Sequence, residues 1–150
     1  ARAARAASLL TAELALAAGE PARAAALADV PGAARPELVL SSQARTAGGR
    51  AADSAQRLQT WVALHPRDAQ AWQLLAAAYA AQGQSLRAIR AEAEAQVAHL
   101  DYQAALDRFK AAQELARRAG PGTGDHIEAS IIDTRARQVE SLLREQAVER

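Results

Sequence analysis

Residues 69–102 read AQAWQLLAAAYAAQGQSLRAIRAEAEAQVAHLDY, and the organisation of the whole chain can be built outward from them. Trp72, Leu75 and Tyr79 recur at three- and four-residue spacing and so share one stripe of a helix. Gly83 breaks the pattern where the backbone can reverse without a side chain. A second helical pattern resumes at Ser85. Its Ala88 and Ala95, with Ala76 in the helix before, are small enough for two backbones to cross closely. The stretch therefore predicts an antiparallel helical hairpin. Gly49 precedes Gly83 by 34 residues, as Gln43 precedes Ala77. A fixed period of that length marks a stacked repeat array rather than a simple bundle.

Outside this unit the punctuation is regular. Turn signals fall at Gly19-Glu20-Pro21, Val30-Pro31-Gly32, Arg35-Pro36, Gly48-Gly49, His65-Pro66 and Gly120-Pro121-Gly122-Thr123-Gly124. The segments between them predict eight helices, over about 3–18, 21–29, 36–47, 50–65, 69–82, 85–99, 102–119 and 126–148. Pro21 and Pro36 suit a first helical position. Asp68, Ser85 and Asp101 suit N-caps, and Asp125 with Glu128 has the spacing of a capping box. Short connections make successive helices antiparallel neighbours. The set Asp101-Tyr102, Ala105, Leu106, Phe109, Ala112 and Leu115 repeats the pattern in a frame that overlaps the first, so that helix 85–99 belongs to both. Leu100 stands where a turn glycine is usual, which predicts a register change or a non-standard hairpin there.

Composition supports an all-α reading. The chain of 150 residues holds 43 alanines against fifteen Val, Ile and Thr together and five aromatics. The best helix former dominates and sheet formers are scarce. A hydrophobic share of 50% suffices for a packed core, which excludes wholesale disorder. Net charge is +1 with the two signs interspersed, so no basic field points to nucleic acid. No apolar run reaches the roughly 20 residues of a membrane span, which argues against direct membrane insertion. There is no cysteine, hence no disulfide framework or thiolate site. The chain does not begin with methionine, which is read as a fragment of something longer.

Catalytic chemistry is hard to place. No His-Glu-x-x-His, phosphate loop or Gly-x-Ser-x-Gly turn occurs. His65, His99 and His126 fall at helix ends far apart in sequence, and His126 with Glu128 do not align on one helix face. Glu92, Glu94, Asp101, Asp107 and Glu114 read as solvated carboxylates. Trp61, Trp72, Tyr79, Tyr102 and Phe109 read as inter-helix core. No catalytic residue and no metal ligand is assigned. Ile127, Ile131, Ile132, Val139 and Leu143 form an apolar stripe opposite Arg137, Glu140, Arg144 and Glu145. This predicts a C-terminal cap on helix 102–119, touching Leu106 and Phe109.

The unit with Trp72, Leu75, Ala76, Tyr79, Gly83, Ala88 and Ala95, preceded by Pro66, resembles a tetratricopeptide repeat. That resemblance implies a single domain over 1–150, a right-handed α-solenoid with clear repeats over about 60–119 and degenerate ones over 1–59. It also implies a concave groove for a protein or peptide partner, with face-forming positions at Glu13, Gln43, Gln70 and Gln73 and with Thr46 beside them. No Lys/Arg clamp for a C-terminal carboxylate is evident among these positions.

Two blocks narrow the resemblance. Residues 61–95 include Trp61-Val62-Ala63-Leu64-His65-Pro66-Arg67-Asp68. The second block, 125–137, includes Asp125-His126-Ile127-Glu128-Ala129-Ser130-Ile131-Ile132. Together they are similar to the C-terminal repeat region of bacterial zinc metalloproteases of the beta-barrel assembly-enhancing type, with Thr134 and Ala136 departing from the pattern. The resemblance implies a non-catalytic, periplasmic domain. It would dock on its own protease domain, where the zinc is expected, and contact substrate or outer-membrane assembly machinery. A free-standing tetratricopeptide adaptor with no enzyme attached is the alternative.

Overall fold

The computed structural model describes residues 2–30, 33–120, 122 and 125–149. Among these residues the chain forms eight helices and no strand: α1 (Arg2–Ala17), α2 (Pro21–Ala28), α3 (Arg35–Ala47), α4 (Ala51–Leu64), α5 (Ala69–Ala81), α6 (Ser85–Ala98), α7 (Tyr102–Ala119) and α8 (His126–Val148). Each lies within a residue or two of its expected span. The expected turn residues Pro31, Gly32, Pro121, Thr123 and Gly124 lie outside the described residues.

Several helix starts have visible chemical causes. Asp68 and Asp101 act as N-caps, accepting from the backbone N–H of Ala71 at 3.2 Å and of Ala104 at 3.1 Å. Pro21 opens α2; Pro36 is the second residue of α3, after Arg35. Two cap expectations do not hold. Gln84, not Ser85, takes the N-cap position of α6. Asp125 makes no side-chain cap bond, and the Glu128 carboxylate pairs with Arg90 rather than reaching back to the N-cap. An uncharted half of a capping box forms at α3, where Glu37 accepts from the backbone N–H of Ala34 at 3.1 Å.

Every helix packs on the next, and the second-neighbour contacts reveal the register. Helices α1, α3 and α5 touch in turn and form one row. Beyond α5 the row does not continue to α7. Among the described residues α5 and α7 do not touch, and α6 touches α8 instead. Helix α6 thus closes one hairpin with α5 and opens the next with α7. Its two faces show the double duty. Ala88, Ala91 and Ala95 enter the core around Leu58, Val62, Trp72, Leu75 and Tyr79. Leu86 and Ala93 enter a second core with Leu106, Phe109, Ile132 and Val139.

The turn geometry explains how this shift is made. After α1, α3 and α5 the chain passes through a left-handed residue: Gly19, Gly49 and Gly83, with φ between 72° and 81°. The N–H of the following residue then closes back five residues, Glu20 to Ala15, Arg50 to Arg45 and Gln84 to Tyr79. Leu100 adopts the same conformation at φ 62°, and Asp101 closes back to Gln96 at 3.0 Å. A helix end needs these carbonyl partners whatever residue occupies the turn. Leucine there bears a steric cost that glycine avoids.

Helix α8 covers the last hairpin along Ile132, Ala136 and Val139, with Leu143 at the edge, against Leu106 and Phe109. The contact expected there is present, along a line displaced from the one anticipated. Ile131 is only half-buried, and Ile127 is 79% exposed.

Candidate functional site

Helices in one row run parallel, because each is separated from the next by a full hairpin. Their parallel faces line a groove of about 510 Å³. Glu13 and Leu16 come from α1, Pro36, Val39, Leu40 and Gln43 from α3, and Gln70 from α5. Three of the five expected face positions, Glu13, Gln43 and Gln70, are therefore brought together, all of them exposed. Thr46 is half-buried near the end of α3, and Gln73 is exposed on α5; neither lines the groove.

A charged residue overlooked at the sequence level stands in the groove wall. Arg35 donates from Nε and Nη2 to the two carboxylate oxygens of Asp68, at 2.7 and 2.8 Å. The same Nη2 donates to Gln70 Oε1 at 2.9 Å. This fork pairing is the strong form of the arginine–carboxylate contact, and it fixes the Gln70 amide so that its NH2 group is the one available to a ligand. Asp68 also accepts from the indole N–H of Trp61 at 2.9 Å. Its carboxyl is held well below the usual carboxylate range, first by the Arg35 bond and then by those from Trp61 and Ala71, against the opposing effect of burial. One side chain thus joins α3, the end of α4 and the start of α5 beside the groove.

Comparable bridges join the other parallel pairs. Arg5 of α1 donates to the buried Glu37 of α3, whose carboxyl is lowered to about 2, mainly by that bond. Between α6 and α8, Arg90 donates to Glu128 at 2.5 Å, and Arg135 forks onto Glu94 at 2.6 and 3.0 Å. Glu94 is accordingly not a solvated carboxylate: it is 7% exposed, as is Glu128. Burial of these acids is tolerable because each is paired and hydrogen-bonded. The sequence signal was an Arg and a carboxylate about one repeat apart, 32 residues for Arg5–Glu37 and 33 for Arg35–Asp68. In the shifted part of the array the separations grow to 38 and 41, because the longer α7 intervenes.

The remaining candidates take structural places. Trp72, Tyr79 and Phe109 are buried in the cores, while Trp61 and Tyr102 pack at their edges. His65, His99 and His126 are exposed at helix ends, and His65 stacks on Trp61 with ring centroids 4.0 Å apart. Among the described residues no three His, Cys, Asp or Glu side chains gather where a metal ion could be held. No helix there is long and apolar enough to cross a membrane. The groove offers amide and carboxylate hydrogen-bonding groups over an apolar floor. No protein-family model matches this sequence, and a comparison with curated proteins finds no match either.

Proposed function

We propose that the chain is a protein-interaction domain that holds an extended peptide segment in the α1–α3–α5 groove. The observation that carries this reading is the convergence of Glu13, Gln43 and Gln70 from three helices on one groove floored by Leu16, Val39 and Leu40. The Gln43 amide both donates and accepts, and the Gln70 amide presents its NH2 group, so together they can match the N–H and C=O of an extended backbone. The apolar floor supplies burial for alternate side chains of such a peptide. Glu13 favours a neutral or basic segment over an acidic one.

The resemblance of residues 61–95 and 125–137 extends the proposal. The domain would then be the tetratricopeptide part of a periplasmic bacterial zinc metalloprotease, docking on the protease domain and engaging substrate or outer-membrane assembly partners. A His-Glu-x-x-His segment encoded upstream of Ala1 would support that extension, and a full upstream reading without one would leave the free-standing adaptor. The groove itself is tested by fluorescence anisotropy with a library of labelled, extended peptides. For peptides that bind, Gln43→Ala should weaken affinity about tenfold, the scale of one lost hydrogen bond at a desolvated interface. Gln103→Ala, on the distant α7, should leave it unchanged. Equal effects of the two substitutions would refute the groove as the site.

A further inference from the structure

On the opposite side of α3 from the groove lies a second, smaller cavity of about 240 Å³. Gln43 and Arg45 are two residues apart, about 200° around a helix, so one serves each side. Arg45 is only 3% exposed, the most buried arginine among the described residues, and it borders this cavity with Asp29 and Arg50. Its Nη1 donates to Ser41 Oγ at 2.6 Å. Its Nη2 lies 3.2 Å from Asp29 Oδ2. Its Nε is buried and has no hydrogen-bond partner.

The other paired arginines show what is missing. Arg35 and Arg135 each present the Nε–Nη2 edge to a carboxylate and use both nitrogens. Arg45 has the same edge, more deeply buried, and Asp29 meets half of it. Asp29 is also shared, since its other oxygen lies 3.5 Å from Arg57 Nη1. Arg50 is engaged by Asp53 at 2.7 Å. Three guanidinium groups thus face two carboxylates. Burial and the neighbouring Arg57 both weigh against the charge on Arg45, which an additional anion would relieve. A buried donor left without a partner is costly and rare in folded proteins.

We propose that this cavity is a binding site for a small oxyanion, a phosphate or carboxylate group, held by Arg50 at its mouth and taking the place of Asp29 on the Nε–Nη2 edge of Arg45. Asp29 is half-exposed and occupies the end of that edge as an internal competitor. An oxyanion presenting two oxygens satisfies the whole edge, which Asp29 does not. The charge excess of the cluster matches a singly charged group.

The experiment is isothermal titration of the full chain at constant ionic strength, with inorganic phosphate in one arm and acetate in the other. Saturable binding of one ion per chain is expected in at least one arm, and the stronger arm tells which oxyanion the site prefers. Arg50→Gln, at a side chain 61% exposed, should weaken that binding about tenfold. Asp29→Asn should tighten it several-fold by removing the competitor, an effect that a merely structural role for Asp29 would not produce. Circular dichroism establishes that both variants are folded. Binding by neither ion, in wild type and in folded Asp29→Asn alike, overturns the proposal. So does binding that Arg50→Gln leaves unchanged.

Discussion

Replacing Asp68 with alanine tests the junction on which the groove depends. The carboxylate caps α5, receives the Arg35 fork and receives the Trp61 indole N–H. Loss of an N-cap costs about 1 kcal/mol. The indole of Trp61 is only partly buried, so water recovers part of its lost bond, and the cost there is about 0.5–1 kcal/mol. The Arg35 side chain is 44% exposed, which limits its contribution to about 0.5–1 kcal/mol. Asp68→Ala should therefore destabilise the domain by about 2–3 kcal/mol. Asp68→Asn retains an oxygen for the cap and should lose about half as much. Urea denaturation followed by tryptophan fluorescence is the appropriate assay, since Trp61 and Trp72 are the two tryptophans of the chain and flank this junction. A change within about 0.5 kcal/mol for Asp68→Ala, the scale of an ordinary surface substitution, would refute the view that Asp68 ties three helices together.

Three further outcomes follow from the packing and the electrostatics. Ile132→Ala removes a fully buried side chain and should cost about 2–5 kcal/mol, whereas Ile127→Ala, at a side chain 79% exposed, should stay within about 0.5 kcal/mol; thermal denaturation of the pair checks whether α8 seals the array. Leu100→Gly relieves the left-handed strain and should stabilise by about 0.5–1 kcal/mol after the entropy of glycine in the unfolded chain is counted, while Gly83→Ala should destabilise by a similar amount. The Glu37 carboxyl titrates near 2 in the folded protein, against an ordinary 4.5. Its contribution is therefore present above about pH 4.5 and is lost as pH falls toward 2, because the unfolded chain binds the proton first. Glu37→Gln should flatten that acid-side slope in denaturation measured across pH.

The resemblance between expected and observed helices has a local cause. Helix spans depend on alanine content, apolar spacing and punctuation by glycine and proline, all of which act over a few residues. Asp68 and Asp101 were identifiable as caps because a cap bond is made three residues away. Glu13, Gln43 and Gln70 were identifiable as neighbours because a repeat places equivalent helix faces side by side.

What the sequence could not decide was the state of residues whose partners lie a repeat or more away. Glu94 and Glu128 look like surface acids in isolation, and only the approach of α8 to α6 buries them against Arg135 and Arg90. Arg45 sits in a polar stretch, Ser41-Ser42-Gln43-Ala44-Arg45, with nothing local to mark it as buried; the packing of α2 and α4 around α3 makes it so. The register change is the clearest division. Sequence patterning showed that helix 85–99 could serve two hairpins and that Leu100 occupied a glycine-like turn. Which helix would then neighbour which was set by tertiary structure. Leucine can enter the left-handed region when packing on both faces of α6 outweighs a local cost of about 1–2 kcal/mol, and that balance is struck only once α5, α7 and α8 are in place.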